Sequence, residues 1–230
     1  MTLTLSDILT ALLTGALPTL IWLWFWLSED HKRPEPRVIL ALVFIIGSLA
    51  VLLVLPLQHL AAQMLQSLQS WGYILASASI EEVVKFSVIG IFLASTPFAD
   101  EPIDYAIYFV TGALGFAALE NTIYLLDPIR QSLAVETLTI SSLRFLGSTL
   151  LHATTAALVG LLLGFAWKKP KRKKLLVFLG GLILAVLLHA VFNFFIINGS
   201  TRAVFGVLAG LWIFAISSLY LFERVRHIRI

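Results

Sequence analysis

An all-α bundle of about seven membrane-spanning helices is the fold class this sequence predicts, and three observations predict it. Apolar residues make up 59% of the chain and charged residues 13%, against about half and about a quarter in a soluble domain. The apolar residues come in runs of roughly 20, the length that crosses a bilayer as a helix. Charged or proline-containing breaks separate most runs: SEDHKRPEPR, TPFADEP, DPIRQ, KKPKRKK and NGSTR. No internal repeat, soluble domain or low-complexity linker interrupts 1–230, which therefore reads as one membrane domain.

The first span lies near 4–27. It lacks a basic start and a small-residue cleavage site and is too long for a signal-peptide core. Pro18 predicts a kink in it, and Trp22, Trp24 and Trp26 an interfacial aromatic belt. The second span lies near 38–57. After it, QHLAAQMLQSLQSWG (58–72) is polar but helix-friendly, and is predicted to lie along the membrane interface. The remaining spans fall near 73–95, 105–126, 142–167, 175–197 and 204–222.

Lysine and arginine set the expected orientation. Threading seven spans puts Lys32, Arg33, Arg37, the six basic residues of 168–174, Arg224, Arg226 and Arg229 on one side. The other side has Arg130, Arg202 and, at a span entrance, Arg144, which is expected to snorkel. The positive-inside rule then puts the N-terminus outside and the C-terminus in the cytoplasm. The basic run reads as topology and contact with the lipid bilayer, not as nucleic-acid binding. Zero cysteines exclude disulfides, thiolate metal sites and a cysteine nucleophile.

Four spans carry polar groups that lipid does not tolerate cheaply. Glu81, Glu82 and Lys85 lie in the third, Glu120 and Asn121 in the fourth, His152 in the fifth, His189 and Asn193 in the sixth. A charge at mid-bilayer costs about 2.5–3.5 kcal/mol even on the lenient scale. At about 1.5 Å per helical residue, Glu81, Glu120, His152 and His189 lie roughly 12, 9, 15 and 12 Å from the outer ends of their spans. Two of these spans run inward and two outward, so the shared depth predicts one polar layer. Glu81 and Lys85 stack on one helix face at i, i+4, with Glu82 turned about 100° away. Phe116 and Glu120 repeat that spacing, as do His189 and Asn193. A histidine one turn before an asparagine offers two donors for a developing oxyanion, and a carboxylate beside them can take a proton from water.

The ordered set Glu81-Glu82-x-x-Lys85, Phe116-x-x-x-Glu120-Asn121, His152 and His189-x-x-x-Asn193 resembles the motif series of the PrsW intramembrane proteases. These belong with the type II CAAX prenyl endopeptidases in a glutamate-dependent superfamily. The resemblance covers roughly 73–197, the motif-bearing core of the expected protease domain. It implies peptide-bond hydrolysis with no metal, no other cofactor and no covalent intermediate. Glu81 would activate water with help from a histidine, while His189 and Asn193 would hold the oxyanion. Glu82 and Glu120 stand in the catalytic set; Lys85, Asn121 and Phe116 support it. Glu82 and Lys85 have an equal alternative as a structural ion pair. CAAX enzymes carry a histidine where this chain has Glu120, so His152 is the other candidate for the water's second partner.

Other protease chemistries lack their signatures: no GxSG nucleophile, no aspartate well inside a span and no HExxH. Two rivals stand. One is an ion- or proton-coupled transporter, since intramembrane carboxylates and histidines also relay protons; the other is a metal-dependent membrane hydrolase using the glutamates and histidines. The expected substrate is a membrane-anchored protein cut near its extracytoplasmic end, in the manner of anti-sigma-factor site-1 cleavage. The expected location is a bacterial inner membrane.

Overall fold

The computed structural model describes residues 3–28, 33–65 and 67–228. His31, Lys32, Gln66 and Arg229, which entered the sequence reading, lie outside the described residues. The chain is all-α, with α1 Leu5–Ser28, α2 Arg37–Leu65, α3 Trp71–Ser95, α4 Asp104–Arg130, α5 Ala134–Leu143, α6 Thr149–Phe165, α7 Lys171–Asn198 and α8 Thr201–Arg226. A π-helical turn, Arg144–Ser148, joins α5 to α6 and makes one continuous rod of them. Seven rods result. Six are long and apolar enough to cross a membrane; α3 differs only in carrying Glu81, Glu82 and Lys85 together.

α4 is the hub. It is buried over most of its length and packs chiefly against α1, α2 and α6. An apolar helix buried all round needs small residues where neighbours cross, because lipid supplies no hydrophobic drive and contact must come from close approach. A Cβ on Gly47 would lie 1.9 Å from the Gly112 carbonyl oxygen, so α2 and α4 touch backbone to backbone. Ser48 Oγ crosses the same seam and donates to the Gly115 carbonyl at 2.8 Å. On the opposite side, a Cβ on Gly160 would sit 2.4 Å from Ala106 Cα. Polar caps start the rods: Ser70 Oγ accepts from Tyr73 N at α3, and Ser200 Oγ from Ala203 N at α8.

Several expectations need correction. Residues 58–65 form no separate helix after the second span. They continue α2, because nothing after Pro56 breaks the helical pattern, and His59 accordingly stands on this helix. The fifth rod begins at Ala134, not near 142, since an exposed α5 precedes the buried part. Of the three tryptophans near the end of α1, Trp22 and Trp26 pack inside the bundle, Trp22 against Phe145 and Trp212 and Trp26 against Phe222, while Trp24 is exposed.

Candidate active site

The polar groups predicted for separate spans meet in one buried layer. Glu81, Glu82, Lys85, His152 and His189 are each at most 4% exposed. Glu81, Glu82, His152 and His189 lie on the halves of their helices nearest the 131–133 and 199–200 connections, and Lys85 just past the middle of α3.

Glu82 is paired through one of its oxygens, while its Oε2, like that of Glu81, is buried without a hydrogen bond. Its Oε1 accepts from Lys85 Nζ at 2.7 Å and from His189 Nδ1 at 2.6 Å. Lys85 thus pairs with the residue three before it, not with Glu81 on the same face one turn back. Lys85 Nζ also reaches His152 Nδ1 at 3.1 Å. An amine carried by lysine is here a donor only, so Nδ1 accepts and the ring proton sits on Nε2. That nitrogen faces Glu120 Oε2 at 3.1 Å. Phe116 closes the layer from one side, its ring 5.4 Å from that of His152 and its face 5.5 Å from Lys85 Nζ.

Glu81 stands differently. Its Oε1 accepts from Gln58 Nε2 at 2.6 Å and from Ser77 Oγ at 3.4 Å. Its Oε2 is buried without a hydrogen bond and lies 3.5 Å from His189 Nε2. With His189 Nδ1 engaged by Glu82, Nε2 is the ring atom turned toward the open oxygen. A cavity of about 270 Å³ between α2 and α4 is lined by Gln58, Phe116, Glu120, Tyr124 and Asp127, and leads to this layer from the same end of the bundle.

Three residues missed or misread in the sequence belong to the site. Gln58 lies in the stretch assigned to the interface. Ser77 is one turn before Glu81, a spacing that could have flagged it. Arg144 does not snorkel. It pairs with Glu120, donates from Nε to Asn121 Oδ1 and stacks on Tyr124 with 4.1 Å to the ring centroid. Its side chain is 14% exposed. Asn121 ties helices together, donating to Thr149 Oγ1 at 3.0 Å and the Gly15 carbonyl at 3.4 Å. Asn193 is half-buried and makes no side-chain hydrogen bond among the described residues.

Comparison with known proteins agrees with this picture. The family model described as "PrsW family intramembrane metalloprotease" matches residues 35–221. Protease PrsW of Geobacillus kaustophilus is 27% identical over 204 residues, covering 88% of this chain and 85% of the relative. Protease PrsW of Clostridioides difficile is 28% identical over 189 residues, covering 79% and 77%. Protease PrsW of Halalkalibacterium halodurans is 28% identical over 205 residues, covering 85% and 87%. No solved structure matches the chain.

The family description names a metal, and one group of donors invites the test. Glu81, His152 and His189 bring ligand atoms within 4.8 Å of one another. A hydrolytic metal centre takes three protein ligands and keeps one position open. Here Glu81 Oε2 and His189 Nε2 are open, but both His152 nitrogens are engaged, one by Lys85 and one by Glu120. A lysine donor within hydrogen-bond reach of a would-be ligand also opposes a divalent cation. As arranged, the donors do not fit a metal. The span-length helices, the buried set of carboxylates and histidines, and the match over most of the sequence together place this chain in the PrsW family of intramembrane proteases.

Proposed function

We propose that this protease hydrolyses a peptide bond with a water activated by Glu81, in the extracytoplasmic half of the membrane. The observation that carries the reading is the open, buried Glu81 Oε2 beside His189 Nε2, with the other oxygen held by Gln58. In this mechanism a water proton passes to Glu81 as the water oxygen bonds the scissile carbonyl carbon. The resulting oxyanion accepts a hydrogen bond from Asn193, whose amide has no competing partner. Collapse of the tetrahedral species breaks the C–N bond, and Glu81 returns the proton to the leaving amine. His189, held between Glu82 and Glu81, orients the water and shares the proton. This departs from the sequence reading, which gave His189 to the oxyanion; with Nδ1 engaged by Glu82, its remaining nitrogen faces Glu81 instead. Lys85 balances Glu82, and His152 with Glu120 forms the wall of the site.

The substrate in this account is a single-span or membrane-anchored protein, anti-sigma-factor-like, cut near its extracytoplasmic end in the inner membrane. The orientation rests on the basic residues gathered at the opposite end of the bundle from the polar layer. A cysteine replacing exposed Gln131 is expected to react with an impermeant thiol reagent added outside, and one replacing Lys171 is not; the reverse pattern would turn the site toward the cytoplasm. The chemistry is tested with purified protein and single-span substrates, with and without chelator. Cleavage that survives chelation is expected, and cleavage abolished by chelator and restored by a divalent ion would mean metal chemistry.

A further inference from the structure

The π turn at Arg144–Ser148 interrupts an otherwise α-helical rod, and π turns are rare, mostly single-turn features frequent at functional sites. Its backbone is supported from another helix. Thr149 N donates five residues back to the Arg144 carbonyl, and the Phe145 carbonyl accepts the Trp22 indole N–H of α1 at 3.3 Å. The turn has a geometric consequence. Eight residues of regular α-helix advance about 800°, which would leave Arg144 about 80° around the rod from His152. One extra residue absorbed in the π turn reduces the advance to about that of seven residues, or 700°, and puts both on one stripe within about 20°. Both do reach the same atom: Arg144 pairs with Glu120 Oε2, which also faces His152 Nε2 at 3.1 Å.

We propose that Arg144, brought into register by the π turn, is a positioning residue of the active site: it holds Glu120 so that Glu120 fixes the orientation and tautomer of His152. The inference rests on the reading of this layer as the active site. Arg144 acts through Glu120, because the groups that touch the Glu81 carboxylate are Gln58 and Ser77 on Oε1 and His189 beside Oε2, and not the guanidinium. The fork geometry is part of the function. The guanidinium bonds Glu120 and Asn121 at once while stacking on Tyr124, which a lysine cannot do. Local fold stability does not explain the contact, since no residue of α5, the helix leading into Arg144, is buried.

Arg144→Met is expected to lower kcat about 10- to 100-fold with KM within about twofold, as loss of a group that acts only on the chemistry does. Arg144→Lys should recover part of that loss, and Trp22→Phe, which keeps the ring and removes the indole donor, should fall between it and the native protein. Arg202→Met, at an exposed position at the start of α8, should leave kcat unchanged. A second readout is independent of proteolysis. In ¹⁵N-histidine-labelled protein in lipid nanodiscs, His152 should show one tautomer, with the proton on Nε2, and a mixture in Arg144→Met. A KM effect with kcat intact would make Arg144 a substrate contact. A kcat loss that tracks only the folded fraction, with the His152 tautomer unchanged, would make it structural. Either result overturns the proposal. If no substrate is cleaved at all, the protease chemistry falls, while the tautomer measurement still decides the role of Arg144.

Discussion

Glu81 and Glu82 are adjacent in sequence and opposite in circumstance. Glu82 accepts from Lys85 and His189 through one oxygen, and removing one partner of such a buried pair costs about 3–5 kcal/mol. Its first task is therefore to hold the layer together. Glu81 is held through one oxygen by the neutral donors Gln58 and Ser77, and its other oxygen, without a hydrogen bond, faces His189 Nε2 at 3.5 Å. The helix makes this difference. Consecutive residues point about 100° apart, so one glutamate faces Lys85 and His152 while the other faces α2. Gln58→Leu removes the stronger of the two anchors. A hydrogen bond to a charged group is worth about 1.5–3 kcal/mol, so kcat is expected to fall by roughly 10- to 100-fold, with cleavage kinetics as the check. An unchanged kcat would mean that Ser77 alone positions Glu81.

Among the elements, α2 and the α5–α6 rod decide the site's shape. α2 delivers Gln58 from beyond Pro56, and its depth relative to α4 is fixed where Gly47 meets Gly112. Gly47→Ala forces these backbones apart, because a methyl group at 1.9 Å from a carbonyl oxygen cannot be absorbed by a side-chain rotation. A destabilisation of about 1–3 kcal/mol is expected, read as a lower melting temperature, together with loss of activity in the protein that still folds, since Gln58 shifts with the helix. Full activity at a reduced melting temperature would uncouple the crossing from the site. This level is also where sequence reading thinned out. Span-length apolar runs and the charges inside them announced the bundle and the layer, because apolar runs of that length partition into lipid and lipid penalises the charges strongly. Gln58 was hidden because a polar stretch after an apolar run reads equally as interface or as a longer helix. Arg144 was hidden because its distance from His152 matches one face only after a π turn, which no residue pattern announces. Lys85 was placed on Glu81's face by regular spacing, yet its long side chain reaches across to Glu82 and His152.

For the molecule as a whole, the charge asymmetry and the position of the polar layer belong together. Basic side chains including Arg37, Lys171 and Arg224 stand at one end, and the layer of carboxylates and histidines lies toward the other. Between them α4 and its neighbours form a dry core, with Phe86, Phe109 and Ile89 among its buried residues. The cavity at Gln58, Glu120 and Tyr124 approaches the layer from the end away from the basic groups, without crossing that core. The central claim is that Glu81 is the base in this layer. Glu81→Gln preserves shape and the Gln58 and Ser77 contacts while removing the proton acceptor, so its cleavage rate on a defined single-span substrate tests the claim most directly. The account predicts a loss of at least about 10²-fold, in line with general-base contributions, with the melting temperature and chelator insensitivity of the preparation unchanged. Cleavage at the native rate by Glu81→Gln would contradict it.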